Sequence, residues 1–202
     1  MRDTKVSESA ATERSAKYGD IVAAAQQLFG EVGYEKTGVR EIADRAHIAL
    51  GTLYSYFGDG KIGVLTAALN ERVDRLTAYV AQTDQTDPVE AFLDRVRRLN
   101  SEIARDPFLR QIFTERDRVT EPRLRERGRE IVDKFGTAAT TELRRLRKAG
   151  LVRCEDPDAV VVLLRVANTG WITSQPSEGH TVEHDRLLDV LIGSVRALIR
   201  PK

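Results

Sequence analysis

Between Thr37 and Lys61 the chain reads TGVREIADRAHIALGTLYSYFGDGK. Its apolar positions fall into two short series: Val39, Ile42, Ala43 and Ala46, then Ile48, Leu53 and Phe57. Spacings of three and four residues put each series on one helical face, so the stretch predicts two short helices joined by a tight turn and folded onto one small core. Such a pair leaves the outer face of its second helix free to enter a DNA major groove. On that face stand Gly51, Thr52, Ser55 and Tyr56, all small or hydroxyl-bearing and uncharged.

Upstream, Ile21, Val22, Ala25, Leu28, Phe29 and Val32 form one helical stripe, and Gly33 supplies a left-handed stop. This helix would complete a three-helix head over residues 17–64. Residues 1–16 are polar and lack periodicity, which predicts a disordered arm. Its Arg2, Lys5, Arg14 and Lys17 side chains are solvated, or within reach of DNA phosphates or a minor groove.

The run IVAAAQQLFGEVGYEKTGVREIADRAHIALGTLYSYF (21–57) resembles the N-terminal domain of TetR-family transcriptional regulators. The resemblance is carried by Ala25, Leu28, Phe29, Gly33, Tyr34, Thr37, Ile42, Ala43, Gly51, Thr52, Leu53, Tyr54, Tyr56 and Phe57, all at fixed spacings. It covers about a quarter of the chain. It implies an all-α protein: an N-terminal three-helix helix-turn-helix DNA-binding domain on a larger α-helical ligand-binding and dimerisation domain. Two positions depart from the family pattern. His47 stands where the family has a turn glycine, and a histidine takes positive φ only at some cost. Gly58, Asp59 and Gly60 put one extra residue before Lys61.

The resemblance and the chemistry together assign expected roles in the head. Thr37 caps the second helix, and Arg40 near its start meets a phosphate. The hydroxyls of Thr52, Tyr54 and Tyr56 bond phosphate oxygens and fix register, and Gly51 lets the backbone approach closely. Leu50 and Ser55 touch base edges, while Lys61 contacts the DNA backbone by family analogy. With no Arg, Asn or Gln on this helix, strong bidentate base readout is missing, so sequence choice would lean on thymine methyls, DNA shape or the arm. The head is not net basic: Lys36, Arg40, Arg45 and Lys61 face Glu31, Glu35, Glu41, Asp44 and Asp59.

Residues 65–202 are expected to form the ligand-binding and dimerisation domain. A helix from Lys61 to about Asp84 carries Ile62, Leu65, Leu69, Val73, Leu76 and Val80 inward. Asp87-Pro88, Asp106-Pro107 and Asp156-Pro157 are helix boundaries, each a capping acid before a proline suited to the first helical position. Gly150 ends a long helix opened by Pro122, and Thr181 is expected to cap the last one. Phe92, Val96, Leu99, Ile103, Phe113, Phe135, Asn168 and Trp171 are the candidate lining of a small-molecule effector site. Arg165, Asn168 and Trp171 share one side of their helix and either line that cavity or cross an interface. From Arg95 to Arg153 basic residues outnumber acidic ones; this is either a solvated face or an arginine-lined mouth for an anionic ligand such as a CoA thioester. The last two helices, Val160–Ala167 with its neighbours and Leu187–Ile199, are apolar over more than one neighbour can cover. This matches the four-helix dimer interface that the family implies. The stretches AHIALGTLYSYF and RLNSEIARDPFLRQIF add a likeness to regulators of steroid and lipid catabolism.

Composition sets the remaining bounds. The chain has 202 residues, a net charge of +1, and 41% apolar and 31% charged residues. That is an ordinary globular balance, and it argues against coating nucleic acid by charge alone. Cys154 is the single cysteine, so no internal disulfide forms and a reducing cytoplasm fits. No leader or membrane-spanning run is expected. Catalysis is not expected either: no Cys/His pairing, metal cluster or Gly-rich phosphate loop occurs, and His180 with His184 is too few ligands for a metal. No cofactor is called for. The expected partners are a double-stranded DNA operator, a small effector and a second copy of the chain. The alternative is a ligand-binding or interaction module that has lost specific DNA binding.

Overall fold

The computed structural model describes residues 2–115, 122–173 and 182–199, with side chains at 2–11, 123 and 124 outside the description. The elements among the described residues are α1 (Arg2–Val32), α2 (Val39–Arg45), α3 (Leu50–Tyr56), α4 (Lys61–Ala81), α5 (Pro88–Arg105), α6 (Pro107–Glu115), α7 (Pro122–Lys148), α8 (Pro157–Thr173) and α9 (His184–Ile199). They divide into two compact units, Met1–Arg72 and Val73–Lys202. The all-α expectation holds. Thr181 and His180 lie outside the described residues.

In the first unit, α2 and α3 have only seven residues each. Helices this short are unstable alone, so tertiary packing must hold them. Ile42 and Leu53 are fully buried, with Ile21, Val22, Ala25 and Phe29 of α1. Burying each large side chain contributes roughly 1.5–3 kcal/mol, more than the propensity terms of so short a helix. The unit extends past residue 64 because Val64, Leu65, Ala68 and Leu69 are buried as well. The buried Gln26 side chain donates to the Ala68 carbonyl at 3.2 Å.

Residues 2–16, expected to be a disordered arm, instead continue α1. Between Arg2 and Ala16 there is no glycine or proline to stop a helix. A polar helix leaves no apolar period to detect and is supported by i,i+4 ion pairs, such as Lys17 with Glu13 at 2.7 Å. Tyr18 stacks on Phe57 with ring centroids 5.1 Å apart, and the Arg14 guanidinium lies 5.6 Å from the Tyr56 ring centre.

The helix ends follow their local chemistry. Gly33 (φ 88°) and Gly150 (φ 73°) take the left-handed positions after α1 and α7. At Gly150, Leu151 N–H donates to Leu146 O at 3.0 Å and Gly150 N–H to Arg147 O at 3.0 Å, closing the carbonyl end of α7. Asp87 accepts from Val89 and Glu90 N–H, Asp106 from Leu109 N–H and Asp156 from Ala159 N–H, so each Asp-Pro pair starts a helix.

The second unit packs α5, α7, α8 and α9 around Phe92, Leu93, Val96, Leu143, Leu146 and Leu164, with Ile192, Val195 and Ile199 from the last helix. Helices α5 and α9 run antiparallel along an ion-pair seam: Glu90 with Arg196, Arg97 with Asp189 (2.7 Å) and Arg105 with Asp185 (2.9 Å). These pairs are exposed and screened, so they set register more than stability. On α8, Val160, Val161, Leu164, Asn168 and Ile172 are buried, whereas Val162, Leu163 and Val166 are 46%, 49% and 61% exposed. Val190 and Leu198 of α9 are 63% and 49% exposed. Among the described residues no helix is long and apolar enough to cross a membrane.

Candidate nucleic-acid interface and an apolar cavity

The turn between α2 and α3 decides how α3 is presented. Ile48 N–H donates to Ala43 O at 3.0 Å and His47 N–H to Asp44 O at 3.1 Å, the paired bonds of a Schellman ending. His47 occupies the left-handed position with φ 55°, the one non-glycine residue there among those described. The histidine therefore adopts the glycine geometry, and the turn keeps its shape. The start of α2 is fixed differently from expectation. Gly38 is the N-cap, and its N–H donates to the Glu41 carboxylate at 2.7 Å.

Thr37 is consequently not the cap. It is 1% exposed and its hydroxyl donates back to Gly33 O at 2.7 Å, closing the 33–37 loop. A side chain so placed cannot reach a phosphate. Lys61 also turns inward. Its Nζ donates to Tyr34 O at 2.9 Å and lies 4.2 Å from the Tyr34 ring centre. The extra residue before Lys61 is absorbed by Gly60, which has φ 60° and whose added Cβ would come within 3.3 Å of the Tyr54 ring.

The other expected contacts keep some access to solvent. Arg40, Gly51, Tyr54 and Ser55 are exposed, and Leu50, Thr52 and Tyr56 are half-buried. Ser55 donates its hydroxyl proton to Thr52 O at 2.7 Å, which leaves the oxygen as an acceptor toward the outside. A Cβ built on Gly51 meets nothing within 4 Å, so nothing within the protein requires a glycine there. Arg45 is spent on Glu31, bidentate at 3.3 Å. Arg40 and Lys36 form no ion pair among the described residues. Arg14 and Lys17 of α1 stand beside Tyr56.

In the second unit a cavity of about 90 Å³ lies among α5, α6, α7 and α8. The structure brings Val96, Leu99, Ile103, Phe113, Phe135 and Asn168 together on its wall. Phe92 and Trp171 are not there. Phe92 lies one turn earlier on α5, inside the core with Leu143 and Leu146. Trp171 donates its indole N–H to Val182 O at 3.1 Å and packs on the His184 ring at 4.4 Å. Asn100, Val132, Ala139 and Leu164 also line the cavity and were missed. Asn100 could have been found as a polar interruption of the Val96–Ile103 stripe. An open groove of about 910 Å³ shares Val132, Arg165 and Thr169 with this cavity and carries Arg125, Arg129 and Asp133. Several other arginines of this unit are in ion pairs, including Arg95 with Glu142 (3.1 Å) and Arg144 with Asp158 (2.6 Å).

Residues 21–68 match the family described as bacterial regulatory proteins, tetR family. The chain is 32% identical to the HTH-type transcriptional activator FasR of Mycolicibacterium smegmatis, over 55% of this chain and 51% of that one. It is 30% identical to the HTH-type transcriptional repressor KstR of Mycobacterium tuberculosis, over 56% and 51%. The chain thus spans about half the length of these two relatives. Its fold is that of the fatty acid degradation regulator FadR from Bacillus halodurans, with a TM-score of 0.72 at 22% identity over 92% of this chain and 97% of that one. By this match the head of the chain, residues 21–68, is that of the tetR family of bacterial regulatory proteins, and the chain as a whole takes the all-α fold of the FadR structure.

Proposed function

We propose that the protein is a homodimeric, ligand-responsive transcriptional regulator, acting as a repressor that a small hydrophobic or acyl-CoA-like effector releases from a palindromic operator. The observation that carries the reading is the outer face of α3. Gly51, Tyr54 and Ser55 are exposed there, on a helix held by a Schellman turn, and Arg40 is exposed on α2. Phosphate contacts from Arg40, Thr52, Tyr54 and Tyr56 would fix register, and Leu50 and Ser55 would touch base edges. A head with so few free cations gains affinity by acting in pairs, on half-sites one helical turn or a multiple apart.

The pairing surface in this reading is the exposed apolar stripe of α8 and α9, which includes Val162, Leu163, Val166, Val190 and Leu198. The effector site is the α5–α8 cavity, with the arginine groove beside it for an anionic head. At about 90 Å³ the cavity is smaller than an acyl chain requires. An effector must therefore widen it, and that gives it the differential affinity for two states that any allosteric ligand needs. The lipid-like effector agrees with the name of the FadR neighbour.

Binding-site selection from random duplex DNA tests the reading. Enrichment of a palindrome, weakened by Thr52→Ala with Tyr56→Phe, is the expected result. No enrichment, with the double variant indistinguishable from the parent, would leave a ligand-binding module without specific DNA recognition.

A further inference from the structure

The α5–α8 cavity is apolar on most of its wall, and its polar groups are unequal. Arg165 is exposed and faces Asp133 at 3.8 Å. Asn100 donates its amide to Val96 O at 2.6 Å within its own helix. Asn168 is different, because it is 5% exposed and its amide is held from outside the cavity wall. Its Oδ1 lies 3.0 Å from His184 Nε2. An amide oxygen only accepts, so the imidazole nitrogen must donate to it. His184 Nδ1 is sealed from solvent with no partner, which suits the lone pair of a neutral ring and not a second N–H. The Trp171 indole packs against that ring, with centroids 4.4 Å apart. With Oδ1 occupied, the amide nitrogen of Asn168 is what remains, and it donates to nothing among the described residues.

We propose that Asn168, oriented by His184, is the polar reader of the cavity and selects apolar ligands that carry a hydrogen-bond-accepting oxygen, such as a ketone or thioester carbonyl, over hydrocarbons of the same shape. The inference rests on the reading of this cavity as the effector site. A buried donor without an acceptor costs about 1–3 kcal/mol. A carbonyl in the cavity satisfies it, whereas a hydrocarbon displaces the water that would do so and satisfies nothing. The cavity has room for about three waters, or for a compact ligand head. Discrimination therefore concerns the part of an effector that is inserted deepest. His184 acts as a positioning residue: it fixes which end of the amide faces the ligand and does not touch the ligand itself.

The test uses the full chain and two probes of matched shape, cyclopentanone and methylcyclopentane. Binding is read from the fluorescence of Trp171, the single tryptophan. In Asn168→Leu the cyclopentanone-to-methylcyclopentane affinity ratio falls about tenfold, the equivalent of one lost hydrogen bond and its unmet partner. His184→Phe lowers the ratio in the same direction, and His184→Gln, which can still donate to Asn168 Oδ1, restores most of it. Without any substitution, the side-chain amide proton resonances of Asn168 shift on adding cyclopentanone and stay in place with methylcyclopentane. This second readout stands even if Asn168→Leu does not fold. Binding of both probes with an unchanged ratio and unmoved amide resonances overturns the role of Asn168 alone. Binding of neither probe overturns the effector-cavity reading, and this inference with it.

Discussion

The Ile48 amide donates to the Ala43 carbonyl oxygen at 3.0 Å, across a turn that His47 passes with φ 55°. A β-carbon in that region costs about 1–2 kcal/mol that a glycine avoids. His47→Gly should therefore raise the unfolding free energy by about 1 kcal/mol, measured by urea denaturation with an unchanged slope. Because the bonds already hold α3 in place, operator affinity should move by less than threefold. A large affinity loss would mean that the imidazole itself contacts DNA.

Gly51 separates folding from recognition. Inside a helix, glycine is about 0.5–1 kcal/mol worse than alanine, and here a Cβ would meet nothing within 4 Å. Gly51→Ala should make the head more stable by that amount while weakening DNA binding at least tenfold, because in the proposed reading the added methyl lies where the DNA backbone approaches. Thermal unfolding and fluorescence anisotropy on a selected operator measure the two effects. Parallel gains or losses in both would remove Gly51 from the interface.

Thr37 was expected to cap α2 and Arg40 to meet a phosphate near its start, and the geometry gives the two opposite consequences. Arg40→Ala should leave stability within about 0.5 kcal/mol and lower DNA affinity, with the logarithmic salt slope reduced by about 1. Thr37→Val removes the donor to Gly33 O and leaves a carbonyl unmet in a buried loop, so it should cost about 1–3 kcal/mol of stability. At temperatures well below unfolding its salt slope should match the parent's.

Much of this was readable from local chemistry. Gly33, Gly150 and the three Asp-Pro pairs end and begin helices through bonds within a few residues of themselves, so they need no tertiary information. The core stripes were legible because periodicity encodes burial. Thr37 and Lys61 were misplaced for a different reason. Each spends its donors on loop carbonyls at Gly33 and Tyr34, and the loop's path is set by tertiary packing, which no spacing rule contains. Phe92 shares the apolar stripe of Val96 and Ile103, but a stripe does not say where along its length a cavity opens. The α1 extension was unreadable because a helix that is polar all round carries no period.

Val166 is 61% exposed on α8 and Val190 63% on α9, both within the stripe proposed for pairing. A charge there would be buried without a partner in a dimer and solvated in a monomer. Val166→Glu should shift the protein to monomer in sedimentation velocity, leave its helical circular dichroism intact, and weaken operator binding at least a hundredfold through loss of the second half-site. An unchanged sedimentation coefficient for Val166→Glu and Val190→Glu alike would rule this face out as the interface.

His184 supplies the pH dependence of the second unit. Burial holds its pKa below the ordinary 6.5; Asp185 opposes that shift, and Arg105, itself paired to Asp185, adds to it. Asn168 from α8 and Trp171 offer the ring no charge. The unfolded chain therefore takes up this proton first as pH falls below 6.5. Stability from this group is complete above that value, declines as pH drops toward the folded pKa, and levels off beneath it. Protonation would also give Nδ1 a proton with no acceptor, and an imidazolium against the indole quenches its emission. Trp171 fluorescence should thus titrate with a midpoint below 6.5, and His184→Gln should abolish that step while flattening the stability profile below pH 6.5. A midpoint above 6.5 would mean that the ring gains an acceptor for its second proton, and the neutral ring that orients Asn168 would have to be abandoned.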